Sequence, residues 1–112
     1  MVKNLNKINE LKAEKVKKIV SYIEEQNKKE YIINKVIIFG SSVRHDCRED
    51  SDIDICLFIT VDTSNFMLFT TYGNIPIIAD NACDILIYHK LGDKLKNEID
   101  KEGIEVYEYK TD

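Results

Sequence analysis

The stretch Phe39-Gly40-Ser41-Ser42-Val43-Arg44, followed after seven residues by Asp52-Ile53-Asp54, decides how this chain is read. It is preceded by Val36, Ile37 and Ile38, a β-branched apolar run that Gly40 stops, which reads as a buried strand. It is followed by Ile53, Ile55, Cys56, Leu57, Phe58, Ile59, Thr60 and Val61, a second strand with Asp52 and Asp54 at its start. Side chains alternate along a strand, so Asp52 and Asp54 share one face with α-carbons roughly 6 to 7 Å apart. Two carboxylates fixed together beside Ile, Cys, Leu and Phe repel each other and lose hydration, which calls for a cation between them. Hard oxygen donors without His or thiolate point to Mg²⁺ or Mn²⁺ rather than zinc.

Gly40 and Ser41 lie where the first strand turns, at the expected start of a short helix. Unpaired backbone N–H groups and a helix dipole at such a junction bind phosphate. Glycine lets the backbone come close, Ser41 and Ser42 add hydroxyls, and Arg44 follows one turn on. These pieces fit a triphosphate and its metal. Each also has a plain reading alone: Gly-Ser is a common turn, and five acids between Asp46 and Asp54 can be a solvated loop. Their joint placement on strand ends is what favours the site.

Outward from this window, Leu5, Ile8, Leu11, Val16, Ile19, Val20 and Ile23 recur at helical spacing with Lys, Asn and Glu between them. An amphipathic first helix is expected, within residues 1–27 and ending before the polar cluster Glu24 to Glu30. Residues 62–83 are expected to form an irregular connection. Asp84 opens a third strand through Tyr88 and brings a candidate third carboxylate to the Asp52/Asp54 pair. Asp93 is the expected cap of a helix with Leu95 and Ile99 inward, Gly103 ends it, and Ile104, Val106 and Tyr107 form a last strand. The expected architecture is an α/β (α+β) domain over 1–112, with a small mixed sheet of about four strands flanked by helices.

With 112 residues and a net charge of −4, the chain fits one small domain. Nine Lys against five Glu make residues 1–35 net +4, and the remainder is −8. No apolar run approaches the ~20 residues of a membrane helix, so a cytoplasmic protein without membrane contact is expected. Cys47, Cys56 and Cys83 contain no C-x-x-C pair and suggest neither disulfides nor a zinc ribbon. Arg44 and Arg48 are the only arginines, and with an acidic body no direct nucleic-acid binding is expected. The Lys-rich front reads as a solvated helix face or, through residues such as Lys15 and Lys18, as a docking face. An EF-hand is disfavoured because the twelfth position from Asp46 is Leu57 rather than Glu.

Gly40-Ser41, ten residues, then Asp52-x-Asp54 resembles the G-S-x10-D-x-D signature of the minimal nucleotidyltransferases, in the DNA polymerase β-like superfamily. Ser51-Asp52-Ile53-Asp54, Arg44, Asp84 and the ending Ile99 to Tyr107 extend the likeness over roughly residues 34–109. His45 stands where many members have Gly. It makes an H-x-C pair with Cys47 that lacks further metal ligands. The resemblance implies a polymerase β palm-like fold and transfer of AMP from ATP to a hydroxyl. It implies Gly40, Ser41, Ser42 and Arg44 at the nucleotide, and Asp52, Asp54 and Asp84 as catalytic carboxylates holding two Mg²⁺ or Mn²⁺ ions. Small stand-alone members resemble antitoxins paired with helical HEPN ribonuclease toxins, which implies such a partner as acceptor. A non-catalytic antitoxin that binds by occlusion, or transfer to a small molecule such as an aminoglycoside, are the alternatives.

Overall fold

The computed structural model describes residues 1–60, 74–80 and 82–110. Helix α1 spans Glu10–Lys29, strand β1 Ile33–Phe39, strand β2 Ile53–Ile59, the short helix α2 Ile75–Ile78, strand β3 Cys83–Ile87, helix α3 Asp93–Glu102 and strand β4 Ile104–Glu108. The strands form a mixed sheet in the order β3-β2-β1-β4. β1 pairs antiparallel with both β2 and β4, whereas β2 and β3 run parallel. A parallel pair needs a crossover, here the segment between Ile59 and Cys83. The irregular connection expected over 62–83 lies mostly outside the described residues, and its described part contains the helical turn α2.

The pleat sorts β2 into two rows. Ile53, Ile55 and Leu57 join the main core with Val16, Ile19, Val20 and Ile23 of α1, Ile33, Val36 and Ile38 of β1, and Val106 of β4. Cys56 and Phe58 belong to a smaller cluster on the other side with Phe39, Ile99 and Leu95. The sheet thus lies between α1 with α2 and the shorter α3. Asp54 falls in the second row by the same alternation.

Four expectations change. α1 begins at Glu10 after a 3-10 turn at Leu5–Lys7 and continues through the polar cluster to Lys29. It continues because Asn27 turns inward and is buried. Leu11, expected inside, is 44% exposed, while Lys12 is 2% exposed. The buried stripe is Ile8, Lys12, Val16, Ile19 or Val20, and Ile23, and its intervals of three and four leave no room for Leu11. Gly92, not Asp93, occupies the cap position of α3, and Asp93 stands in the first turn, where an acid also suits the helix dipole. Lys15, expected on the wet face, pairs with Asp80 at 2.9 Å. Among the described residues no helix is long and apolar enough to cross a membrane.

Asn27 joins α1 to the sheet. Its Oδ1 accepts from the Ile32 and Ile33 N–H groups, both at 3.1 Å. Its Nδ2 donates to the Ile33 carbonyl at 2.8 Å and to the Tyr107 hydroxyl at 2.9 Å. The amide's donors and acceptors are all engaged, which lets it be buried without a desolvation penalty left over.

Candidate active site

β1 ends at Phe39, and its α-carbon partner across the antiparallel ladder is Asp54. The parallel register of β2 with β3 sets Asp54 directly beside Asp84. Asp52 stands just before β2, two residues along the chain from Asp54. Strand pairing and the pleat therefore gather the three carboxylates at one end of the sheet. Asp54 is half-buried there, and Asp52 and Asp84 are exposed.

The backbone turns beside them. Gly40 adopts φ +72°, and a side chain at this position would collide with the Asp54 carboxylate. Glycine is required twice over, for the left-handed backbone and for the close approach. Gly40–Val43 form a single 3-10 turn, closed by the Arg44 N–H on the Ser41 carbonyl at 3.0 Å. This corrects the expected helix: one turn aligns too few peptides to build a strong dipole. Phosphate binding here would rest on Ser41, nearby N–H groups and Arg44.

Ser42 departs from its expected role. It is fully buried, and among the described residues its hydroxyl has no hydrogen-bond partner. Its side chain points into the fold rather than toward a ligand in solvent. Arg44 is exposed and bonded through Nε to Asp46 Oδ1 at 3.2 Å. His45 is exposed and Cys47 buried, so the H-x-C pair does not present two ligands to solvent together.

Electrostatics tie the carboxylates together. Burial raises the Asp54 pKa, Asp84 and Asp52 raise it further, Arg44 opposes them, and Glu98 of α3 adds to the rise. The Cys83 thiol is raised by burial and then by Asp84 and Asp52. Burial, with Asp100 nearby, pushes Cys56 up to about 12. The raised Cys56 and Cys83 thiols stay protonated at neutral pH and offer no thiolate nucleophile. The donor chemistry of Asp52, Asp54 and Asp84 suits a hard divalent cation, since mutual repulsion of carboxylates is what such an ion relieves. Among the described residues, no three His, Cys, Asp or Glu side chains already converge as a ready metal cage. The three carboxylates lie at one end of the sheet without forming a closed cage.

Three residues at or around the site escaped sequence reasoning. Glu98 reaches Asp54 only through the packing of α3, which leaves no local signature. Asn9 and Lys12 had one: Asn before a helical run is a capping signal, and a Lys on the apolar stripe is a misfit. A cavity of about 500 Å³ lies elsewhere, lined by Lys3, Glu24, Asn27, Tyr107 and Lys110 among others, and includes none of the site residues.

Residues 6–112 match the sequence family described as Polymerase beta, Nucleotidyltransferase. The chain belongs to that family. Its fold is the polymerase β-like nucleotidyltransferase fold. Solved structures agree at the level of fold. A toxin–antitoxin with AMP-PNP superposes with a TM-score of 0.66 at 17% identity, covering 83% of this chain and 73% of that one. The minimal nucleotidyltransferase antitoxin bound to a tri-AMPylated HEPN toxin from Shewanella oneidensis gives 0.61 at 17%, covering 85% and 71%. An MntA–HepT toxin–antitoxin gives 0.60 at 16%, covering 85% and 71%. No curated protein matches this nucleotidyltransferase chain significantly in sequence.

Proposed function

We propose that this nucleotidyltransferase moves AMP from ATP to a hydroxyl of a partner protein, a helical HEPN toxin, and thereby acts as its antitoxin. The observation that carries the reading is the register that sets Asp54 beside Asp84 against the glycine turn at the end of β1. The fold neighbours named as toxin–antitoxin complexes, one with AMP-PNP and one with a tri-AMPylated HEPN toxin, support the choice of nucleotide and partner.

Gly40 and Ser41 would seat the β- and γ-phosphates, and Arg44 would exchange Asp46 for a phosphate oxygen and neutralise its charge. Asp52, Asp54 and Asp84 would hold Mg²⁺ or Mn²⁺. The metal, when bound, supplies charge stabilisation for the attacking and leaving oxygens. The acceptor oxygen would attack the α-phosphorus as the bond to the pyrophosphate oxygen breaks, and Asp84 would either bind the catalytic metal or take the hydroxyl proton. Ser42 is buried and is given no contact with the nucleotide in this proposal.

The test is mass spectrometry of the neighbouring-gene protein after incubation with this protein, ATP and Mg²⁺. The expected result is a mass gain matching AMP that Asp52→Asn abolishes. Absence of any transfer from labelled ATP overturns the reading, and toxin neutralisation that survives Asp54→Asn assigns the antitoxin effect to occlusion instead.

A further inference from the structure

Between the glycine turn and Asp52 runs the loop 44–51, and the start of α1 holds it from behind. Asn9 caps α1, its Oδ1 accepting from the Leu11 N–H at 3.0 Å. The same side chain turns its Nδ2 outward to donate to the Arg44 carbonyl at 2.8 Å, while the Asn9 backbone N–H donates to the Ser42 carbonyl at 2.7 Å. One turn further, Lys12 donates from Nζ to the Glu49 carbonyl at 2.8 Å. It is 2% exposed.

A lysine on the apolar stripe of a helix carries a desolvation cost that Met, of similar length, would avoid. No salt bridge offsets it among the described residues, where the Glu49 carbonyl is the acceptor the ammonium reaches. The loop thus receives two side-chain tethers, one at Arg44 and one at Glu49. One comes from the cap residue and the other from the body of a 20-residue helix packed into the main core. Arg44 follows the glycine turn, and Asp52 stands three residues beyond Glu49, so the tethers bracket the segment between the phosphate turn and the first carboxylate.

We propose that Asn9 and Lys12 are positioning residues, which fix the loop 44–51 and through it set Arg44 and Asp52 for the incoming nucleoside triphosphate. This rests on the nucleotidyl-transfer reading above. A loop whose backbone is already fixed loses little further freedom when the ligand arrives, so its order appears as affinity.

Two variants separate this role from general stability. Asn9→Asp keeps the oxygen that caps α1 but has no N–H for the Arg44 carbonyl. Lys12→Met keeps the packing volume and removes the ammonium. Each is expected to weaken MgATP binding to the full chain about tenfold by calorimetry. Each should also speed amide exchange within 44–51 and leave the thermal midpoint within a degree or two of the parent. Lys12→Arg, which keeps a long cation, should recover part of the affinity, and Lys17→Met on the exposed face of α1 should bind as the parent does. Parent-like affinity and loop exchange in both Asn9→Asp and Lys12→Met, with MgATP binding to the parent intact, overturn the positioning role alone. Loss of thermal stability without faster loop exchange overturns it equally. A parent chain that does not bind MgATP overturns the nucleotide reading itself and this inference with it.

Discussion

The two ends of β1 are built on opposite principles. At its start, Asn27 is buried with its donors and acceptors engaged by Ile32, Ile33 and Tyr107. At its finish, Asp54 sits against the glycine turn with Asp84 beside it and Asp52 close by, and burial, then both neighbours, raise its pKa. One end is a closed polar network that contributes stability. The other is a set of like charges gathered by strand pairing, left for a ligand to complete. Polar groups that satisfy one another are structural, and those that repel one another in a fixed geometry mark where chemistry is done.

The sharpest way to break the contrast is to neutralise the strained end. Asp54→Asn is expected to lower nucleotidyl transfer by about 10³-fold or more, because the proposed mechanism gives Asp54 a share in holding the cation. Without divalent cation the same change should raise stability. The folded carboxyl holds its proton to higher pH than the unfolded one, so its ionisation costs folding free energy. That cost is absent below the ordinary carboxylate range, grows as pH rises toward the folded value and is complete above it. Urea melts in EDTA should therefore show the variant ahead of the parent at neutral pH, with the gap closing as pH falls to the acid side of that range.

Breaking the satisfied end should do the reverse. Asn27→Ala leaves the Ile32 and Ile33 N–H groups without their acceptor and the Ile33 carbonyl without its donor, and should cost about 2–4 kcal/mol in denaturant melts. Transfer per folded molecule should stay near the parent level, because no site residue contacts Asn27.

The smallest expected effect lies on β4. Burial alone would raise the Glu105 pKa, but hydrogen bonds from Lys3 and Lys35 outweigh it and hold the carboxyl below its usual range. The stabilisation is present above the unfolded carboxylate value and is lost as pH falls through the folded one. Lys3→Met should remove roughly 0.5 kcal/mol at neutral pH and nothing measurable at low pH, where Glu105 is protonated in both chains.

The contrast also explains what was legible beforehand. The strands around Val36 to Phe39 and Ile53 to Ile59 announce themselves through apolar β-branched runs, and Gly40, Ser41, Asp52 and Asp54 lie within one short window of chain. The depth of Ser42 was not legible, because a serine after a glycine turn looks the same whether its hydroxyl faces water or core. The burial of Lys12 is equally hidden, because its chemistry suggests water even where its position lies on the apolar stripe. The parallel pairing of Asp84 with Asp54 depends on a crossover whose path no local pattern encodes, and Glu98 enters only through the packing of α3. Residues that act within a local window are visible in a sequence, and those brought together by long-range register are not.

The pleat of β2 separates two kinds of inheritance. Ile53, Ile55 and Leu57 answer to the core, while Asp54 stands outside it in the opposite row. Substitutions at Asp54 or Asp84 leave the main core and its helices untouched, so catalysis can be lost in a lineage without loss of the folded surface. Under the proposed function, a chain of this fold could lose transfer one carboxylate at a time and keep the surface that binds its partner.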